Sequence, residues 1–89
     1  MSDLAMLERL SNEGRSVLVN SQVNLISECV DLCRNGYMIR FHVFATTYWF
    51  LKLKHTTNGR EIVAIWHPDN WVLKEGTRIL KSVSYKAGE

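Results

Sequence analysis

The dipeptide Asn58-Gly59 lies between two segments rich in β-branched and aromatic residues, and it limits the possible folds of this chain more than any other feature. A two-residue type I′ turn needs positive φ at both central positions, and Asn-Gly tolerates this conformation well. The flanking segments read YWFLKLKH before the turn and REIVAIW after it. The pattern therefore predicts an antiparallel hairpin that turns at Asn58-Gly59.

The hairpin sets which residues share a face of the predicted sheet. We expect Thr57 to oppose Arg60 across the turn, and counting outward then pairs Leu53 with Ala64. One face should carry only uncharged side chains, namely Trp49, Leu51, Leu53, Ile62, Ala64 and Trp66. The other face is mixed apolar and basic, with Phe50, Lys52, Lys54, Glu61, Val63, Ile65 and His67.

A further strand is predicted before the hairpin. Residues 37–44 alternate Tyr37, Ile39, Phe41 and Val43 with Met38, Arg40 and His42, as expected of a strand. The connection at residues 45–47 contains neither glycine nor proline. Residues 37–54 therefore form either two strands or one long bent strand.

Two shorter strands are predicted after the hairpin. Pro68 lies at the second position of a type I turn pattern, which is followed by a short strand at residues 71–73 and a last strand at residues 77–86. In the last strand, Leu80 falls on the opposite face from its apolar neighbours. This break in alternation indicates a β-bulge.

Residues 22–34 have the apolar period of an α-helix. Leu25, Ile26, Cys29, Val30, Leu32 and Cys33 fill one half of the helical wheel, and polar residues fill the other. Ser21 is the predicted N-cap, and Asn35-Gly36 supplies a residue able to adopt the left-handed conformation that commonly ends a helix. The apolar half must be buried against another element.

The fold class follows from this order of elements. A short helix is predicted from Ser2 or Asp3 to about Ser11, and residues 16–20 form either an edge strand or, as we favour, an extended connection. The expected fold is α+β, with one or two N-terminal helices packed on one face of a three- to four-stranded antiparallel sheet. At 89 residues the chain is expected to form a single domain, residues 1–89.

The sequence predicts a cytoplasmic protein without a membrane partner. The N-terminal segment MSDLAMLERL lacks the basic and apolar regions of a signal peptide, and no run approaches the roughly 20 apolar residues of a membrane span. Cys29 and Cys33 lie four residues apart on the predicted helix. Their Cβ atoms should be too far apart for a disulfide, so we expect free thiols.

We expect no metal, no other cofactor and no catalytic activity. Candidate metal ligands are Cys29, Cys33, His42, His55 and His67, but the histidines are scattered at unrelated phases of the strands. A catalytic pair of His67 with Asp69 would flank a proline turn, where aspartate commonly bonds to the backbone. None of the motifs GxGxxG, GxxxxGK[ST], HExxH or GxSxG occurs.

The surface charge is unevenly distributed along the chain. Residues 1–31 carry a net charge of −3 and residues 32–89 a net charge of +5, and nine aromatic residues are too many for one small core. The basic half that contains exposed aromatics is the predicted contact region. Its candidate partner-binding residues are Phe50, Lys52, Lys54, Arg60, Val63, Ile65, His67, Trp71 and Lys74.

Two functions fit such a surface. The first is a small non-catalytic regulator or inhibitor that binds a protein partner, as accessory proteins of microbes and phages do, and apolar residues on both sheet faces also favour a homodimer. The alternative is a nucleic-acid-binding protein, in which aromatic side chains stack on bases and cations contact phosphates. The cations expected to do so are Lys52, Lys54, Arg60, Lys74, Arg78 and Lys81.

Overall fold

The structure, a computed structural model, describes residues 3–13 and 19–85. In chain order it contains helices α1 (Asp3–Glu13) and α2 (Asn20–Arg34), followed by strands β1 (Tyr37–Phe44), β2 (Trp49–His55), β3 (Glu61–His67), β4 (Asn70–Glu75) and β5 (Arg78–Ser84). The strands form one antiparallel sheet in the order β1-β2-β3-β4-β5. The prediction of an α+β fold with an antiparallel sheet is confirmed.

The predicted number of strands was wrong, because the sheet has five strands instead of three or four. Residues 37–54 contribute two strands, which a turn separates at residues 45–48. The backbone N–H of Ala45 donates to the carbonyl of Tyr48 at 2.9 Å and closes this turn without glycine or proline.

The hairpin between β2 and β3 has a longer loop than predicted. Leu53 pairs with Ile62, and the N–H of His55 donates to the carbonyl of Arg60, so the register differs by two residues from the expected one. Among described residues only glycines have positive φ, which excludes a type I′ turn at Asn58-Gly59. Because the shift is two residues, every side chain keeps its predicted face.

The alternation predicted for β1 was correct only up to its third residue. The pairing with β2 shifts between Ile39 and Phe41, so that Arg40 is an extra residue in the strand. After this bulge the side chains lie on the opposite faces from those predicted, because Phe41 pairs with Lys52 and Val43 with Phe50. The bulge predicted near Leu80 is present, since Lys74 pairs with Ile79 and Leu73 with Lys81.

One side of the sheet, here called the inner face, is buried over β2, β3 and β4. Its buried residues are Trp49, Leu51, Leu53, Ile62, Ala64, Trp66, Trp71 and Leu73, all less than a tenth exposed. These residues form one cluster with Leu7 of α1 and with Leu25, Ile26 and Cys29 of α2. The predicted uncharged face is therefore the core of the protein.

The N-terminus of α2 is formed differently from the sequence-based expectation. The helix is preceded by Val19, whose N–H donates to the side-chain carbonyl of Gln22 at 2.9 Å. The predicted cap, Ser21, is buried inside the helix, where its hydroxyl oxygen accepts a 2.9 Å hydrogen bond from the indole N–H of Trp66. Of the connection predicted at residues 16–20, residues 16–18 lie outside the described residues.

The C-terminus of α2 is held against the β2–β3 loop. Gly36 has a φ of +97° and follows Asn35, the C-cap of the helix. The His55 ring contacts both the end of α2 and the β2–β3 loop. Its Nε2 lies 3.0 Å from the Asn35 carbonyl oxygen, and its Nδ1 accepts hydrogen bonds from the N–H groups of Thr57 and Asn58. We therefore assign the ring proton to Nε2, which donates to Asn35.

Burial protects one of the two free thiols. Burial, followed by the charges of Cys33 and Glu28, raises the pKa of Cys29 from 9.0 to about 12. Its thiolate fraction near neutral pH is therefore far below that of an exposed cysteine.

We expect iodoacetamide to modify Cys29 only when the protein unfolds, whereas the half-buried Cys33 is labelled in the native state. Peptide mass spectrometry after timed labelling, with and without urea, measures both rates. In urea the two rates should become similar. Equal rates in the native protein would contradict the burial of Cys29.

Candidate functional site

The side of the sheet opposite the core, here called the outer face, carries a mixture of apolar and charged side chains. Its apolar and ionisable residues are Met38, Phe41, Val43, Phe50, Lys52, Lys54, Glu61, Val63, Ile65, His67, Val72, Lys74 and Ile79. None of them is buried, and Phe41 and Ile79 are 55% and 60% exposed. The buried helix residues of the described ranges cluster with the inner face instead.

An uninterrupted row of apolar side chains crosses four strands of the outer face. Val43 pairs with Phe50, Phe50 with Ile65, and Ile65 with Val72. Phe50, Ile65 and Val72 are half-buried, and Val43 is exposed. Here this set of four residues is called the apolar row.

The neighbouring row alternates apolar and charged side chains. Phe41 pairs with Lys52, Lys52 with Val63, Val63 with Lys74, and Lys74 with Ile79. The ring centroid of Phe41 lies 6.0 Å from that of Phe50, in an edge-to-face arrangement that links the two rows. Here this set of five residues is called the mixed row.

The charges of the outer face are partly compensated. The ammonium of Lys52 lies 3.3 Å from a carboxylate oxygen of Glu61, and both side chains are nearly half exposed. For Lys54 and Lys74 no ion pair is seen with the described residues. The outer face therefore keeps positive charge at two points.

Arg60 is bound away from the outer face. It directly precedes β3, and the alternation of side chains along the strand puts it on the same side as Ile62, which belongs to the inner face. Its guanidinium donates two hydrogen bonds of 2.7 and 2.6 Å to the carboxylate of Glu75. These hydrogen bonds hold the pKa of Glu75 below its ordinary value and raise that of Arg60. The pair connects the edge of β3 to the end of β4.

Seven of the nine predicted site residues lie together on the outer face: Phe50, Lys52, Lys54, Val63, Ile65, His67 and Lys74. Arg60 does not, for the reason above. Trp71 is not available on this surface either, because it pairs with Trp66 on the inner face and is only 2% exposed. Its indole N–H donates to the hydroxyl of Tyr85 at 3.3 Å.

Sequence reasoning missed several members of the two rows. Val72 was detectable, because it alternates with the apolar neighbours Trp71 and Leu73. Phe41 and Val43 were assigned to the other phase of β1, since nothing in the local pattern marks Arg40 as a bulge. Both reach the outer face only through the pairing with β2.

The histidines have structural contacts in the described part of the chain. The ring of His42 lies 5.0 Å from that of Phe44, and the ring of His67 lies 5.3 Å from that of Tyr48. Within residues 3–13 and 19–85, no three or more His, Cys, Asp or Glu residues are grouped as metal ligands would be. Nor does any helix in these ranges have the length and apolar character needed to cross a membrane.

A cavity of about 530 Å³ lies beside the N-terminus of α2. It is lined by Val19, Asn20, Ser21, Gln22, Thr46, Trp66, Pro68 and Tyr85. Its volume falls in the range of small-molecule sites. Its buried polar side chains already bond within the protein, Ser21 with Trp66 and Gln22 with Val19, so they do not converge on a ligand.

No protein-family model, curated protein or solved structure matches this chain. The functional proposal therefore depends on the geometry and chemistry of the outer face.

Proposed function

We propose that this protein is a small non-catalytic regulator or inhibitor, of the kind that microbes and phages use as accessory proteins, and that it binds a protein partner through its outer face. The apolar row carries this proposal. Two helices packed on the inner face would leave the outer face to the partner. Burying the row on binding would remove apolar side chains from water, which is the main favourable contribution in most protein associations.

The composition of the outer face favours a protein over a nucleic acid. An apolar centre bordered by charged groups is the usual arrangement of a protein interface. Three of the six cations expected to contact phosphates form ion pairs with carboxylates of the same chain: Lys52 with Glu61, Arg60 with Glu75, and Lys81 with Glu28. Phosphate contacts would have to compete with these carboxylates.

Substituting the centre of the apolar row should abolish partner binding. Ile65→Asp places a charge among Phe50, Val63 and Val72 without touching the core. We expect the recovery of a partner from the source cell, by affinity capture and quantitative mass spectrometry, to fall by about tenfold or more. Circular dichroism and the melting temperature show whether the variant is folded.

Ser27→Asp is a matched control, because it adds the same charge at an exposed position of α2. This control should recover the partner as well as the wild-type protein does. If Ile65→Asp is folded and recovers it equally well, the outer face is not the binding surface.

Nucleic-acid binding remains the second candidate because of one observation. The edge-to-face pair Phe41–Phe50 lies beside Lys52, an arrangement that suits stacking of bases next to a phosphate contact. A fluorescence anisotropy titration with mixed-sequence oligonucleotides tests it. Affinity that falls steeply between about 50 and 200 mM salt, and that Lys52→Glu with Lys74→Glu removes, would replace the protein-binding proposal.

A further inference from the structure

The apolar row has the spacing of one face of an α-helix. Neighbouring strands lie about 4.8 Å apart, so the row from Val43 to Val72 spans about 14 Å across four strands. An α-helix advances about 5.4 Å per turn. A helix that lies across the strands would therefore place about one apolar side chain over each strand.

The lysines of the mixed row match the same helix. Lys52 and Lys74 both pair with Val63, from β2 and β4, so their Cα atoms are about 10 Å apart. Two helix residues that are seven positions apart are separated by about 10.5 Å along the axis. Because both lysines lie on one side of the apolar row, two carboxylates with this spacing along one edge of the helix would reach both ammonium groups.

We infer that the outer face binds an amphipathic α-helix of an acidic protein, which lies across the strands over the apolar row with acidic residues seven positions apart facing Lys52 and Lys74. This inference rests on the proposed function, because it names the kind of partner for the same face. The Lys52–Glu61 pair does not prevent it. Exposed ion pairs of this kind contribute little, so Lys52 can exchange its carboxylate partner at small cost.

The charges of the outer face favour this partner over a second copy of the chain. The face carries Lys52, Lys54 and Lys74 against the single acid Glu61. Packing two such faces together would bring like charges into one interface, which is unfavourable. An acidic helix instead brings opposite charges to Lys52, whose only carboxylate among the described residues is the exposed Glu61, and to Lys74, for which no ion pair with the described residues is seen.

Two stapled helical peptides of identical composition test the inference. Both carry leucines along one face and two glutamates. In the first peptide the glutamates are seven positions apart and lie on one side of the helix, whereas in the second they are five positions apart and lie on different sides. Binding to the full chain is measured by fluorescence anisotropy. We expect the first peptide to bind about two- to fivefold more tightly, with the difference smaller at high salt.

Matched lysine variants locate the contact. Lys52→Ala with Lys74→Ala should remove the preference for the first peptide, whereas Lys54→Ala, on the same face but outside the mixed row, should keep it. Equal affinity for the two peptides, or no binding of either, would overturn the inference.

The proposed function has a separate test, the capture experiment with Ile65→Asp. If that variant loses its captured partner while neither peptide binds, the outer face is still a protein-binding surface and only the helical acidic partner is wrong. A dimer seen by sedimentation equilibrium, and lost in Ile65→Asp, would identify a second copy as the occupant and would also overturn the inference.

Discussion

Replacing Leu53 by alanine is expected to lower the free energy of unfolding by about 3 to 5 kcal/mol, the largest effect of any single substitution considered for this protein. Leu53 is fully buried on the inner face and belongs to the core cluster, which also contains Leu7, Leu25, Ile26 and Cys29. The substitution removes apolar area from the core and leaves a cavity that a closely packed interior fills only in part. Urea denaturation followed by tryptophan fluorescence measures the change.

Leu80→Ala is the matched control for this substitution, since it removes the same atoms from a side chain that is 37% exposed at the β5 bulge. Its effect should stay below about 1 kcal/mol. If Leu53→Ala fails to fold, Leu53→Val supplies a smaller deletion, with an expected cost of about 1 kcal/mol. Equal effects at Leu53 and Leu80 would contradict the assignment of the inner face as the core.

Gly36→Ala is expected to destabilise the protein by about 2 to 4 kcal/mol, through two additive causes. The φ of +97° disfavours any residue with a Cβ atom. An added Cβ would also lie 2.7 Å from Nε2 of His55, which is closer than real contacts allow. The ring would have to move and would lose its hydrogen bond to the Asn35 carbonyl.

Gly59→Ala separates the two causes. Gly59 also has positive φ, +74°, but a Cβ atom there meets no other atom within 4 Å. We therefore expect only the conformational cost, about 1 kcal/mol. His55→Ala should lower the free energy of unfolding less in the Gly36→Ala protein than in the wild-type protein, because it removes the ring that collides with the added Cβ atom. If the effects of the two substitutions simply add in this double-mutant cycle, the proposed contact is refuted.

The contact between Gly36 and His55 explains why the β2–β3 loop differs from the predicted turn. The loop follows His55, whose Nδ1 accepts the N–H groups of Thr57 and Asn58, and the N–H of Thr56 donates to the carbonyl of Gly36 at 2.9 Å. The side chain of Asn58 accepts the N–H of Arg60. These hydrogen bonds satisfy backbone groups of a four-residue loop. The Asn-Gly sequence by itself is compatible with such a loop as well as with a two-residue turn.

Most of the candidate site was predictable because side chains in a strand alternate with a period of two. Phe50, Val63 and Ile65 were placed correctly on that basis, and even a register error of two residues left their face unchanged. Trp71 was named as a candidate partner-binding residue because the size and polarity of tryptophan suit either a core or an interface. Only its pairing with Trp66 and its hydrogen bond to Tyr85 distinguish the two.

The local sequence by itself determined the helix at residues 22–34, the strand segments and the uncharged face of the hairpin, since each of these depends on periodicity within a few residues. The tertiary structure alone decided the bulge at Arg40, the burial of Ser21 against Trp66 and the fit of Gly36 to His55. These features join residues that are distant in the chain, so no local pattern contains them. They also complete the outer face, because the apolar row acquires Val43 only when the bulge turns it toward Phe50.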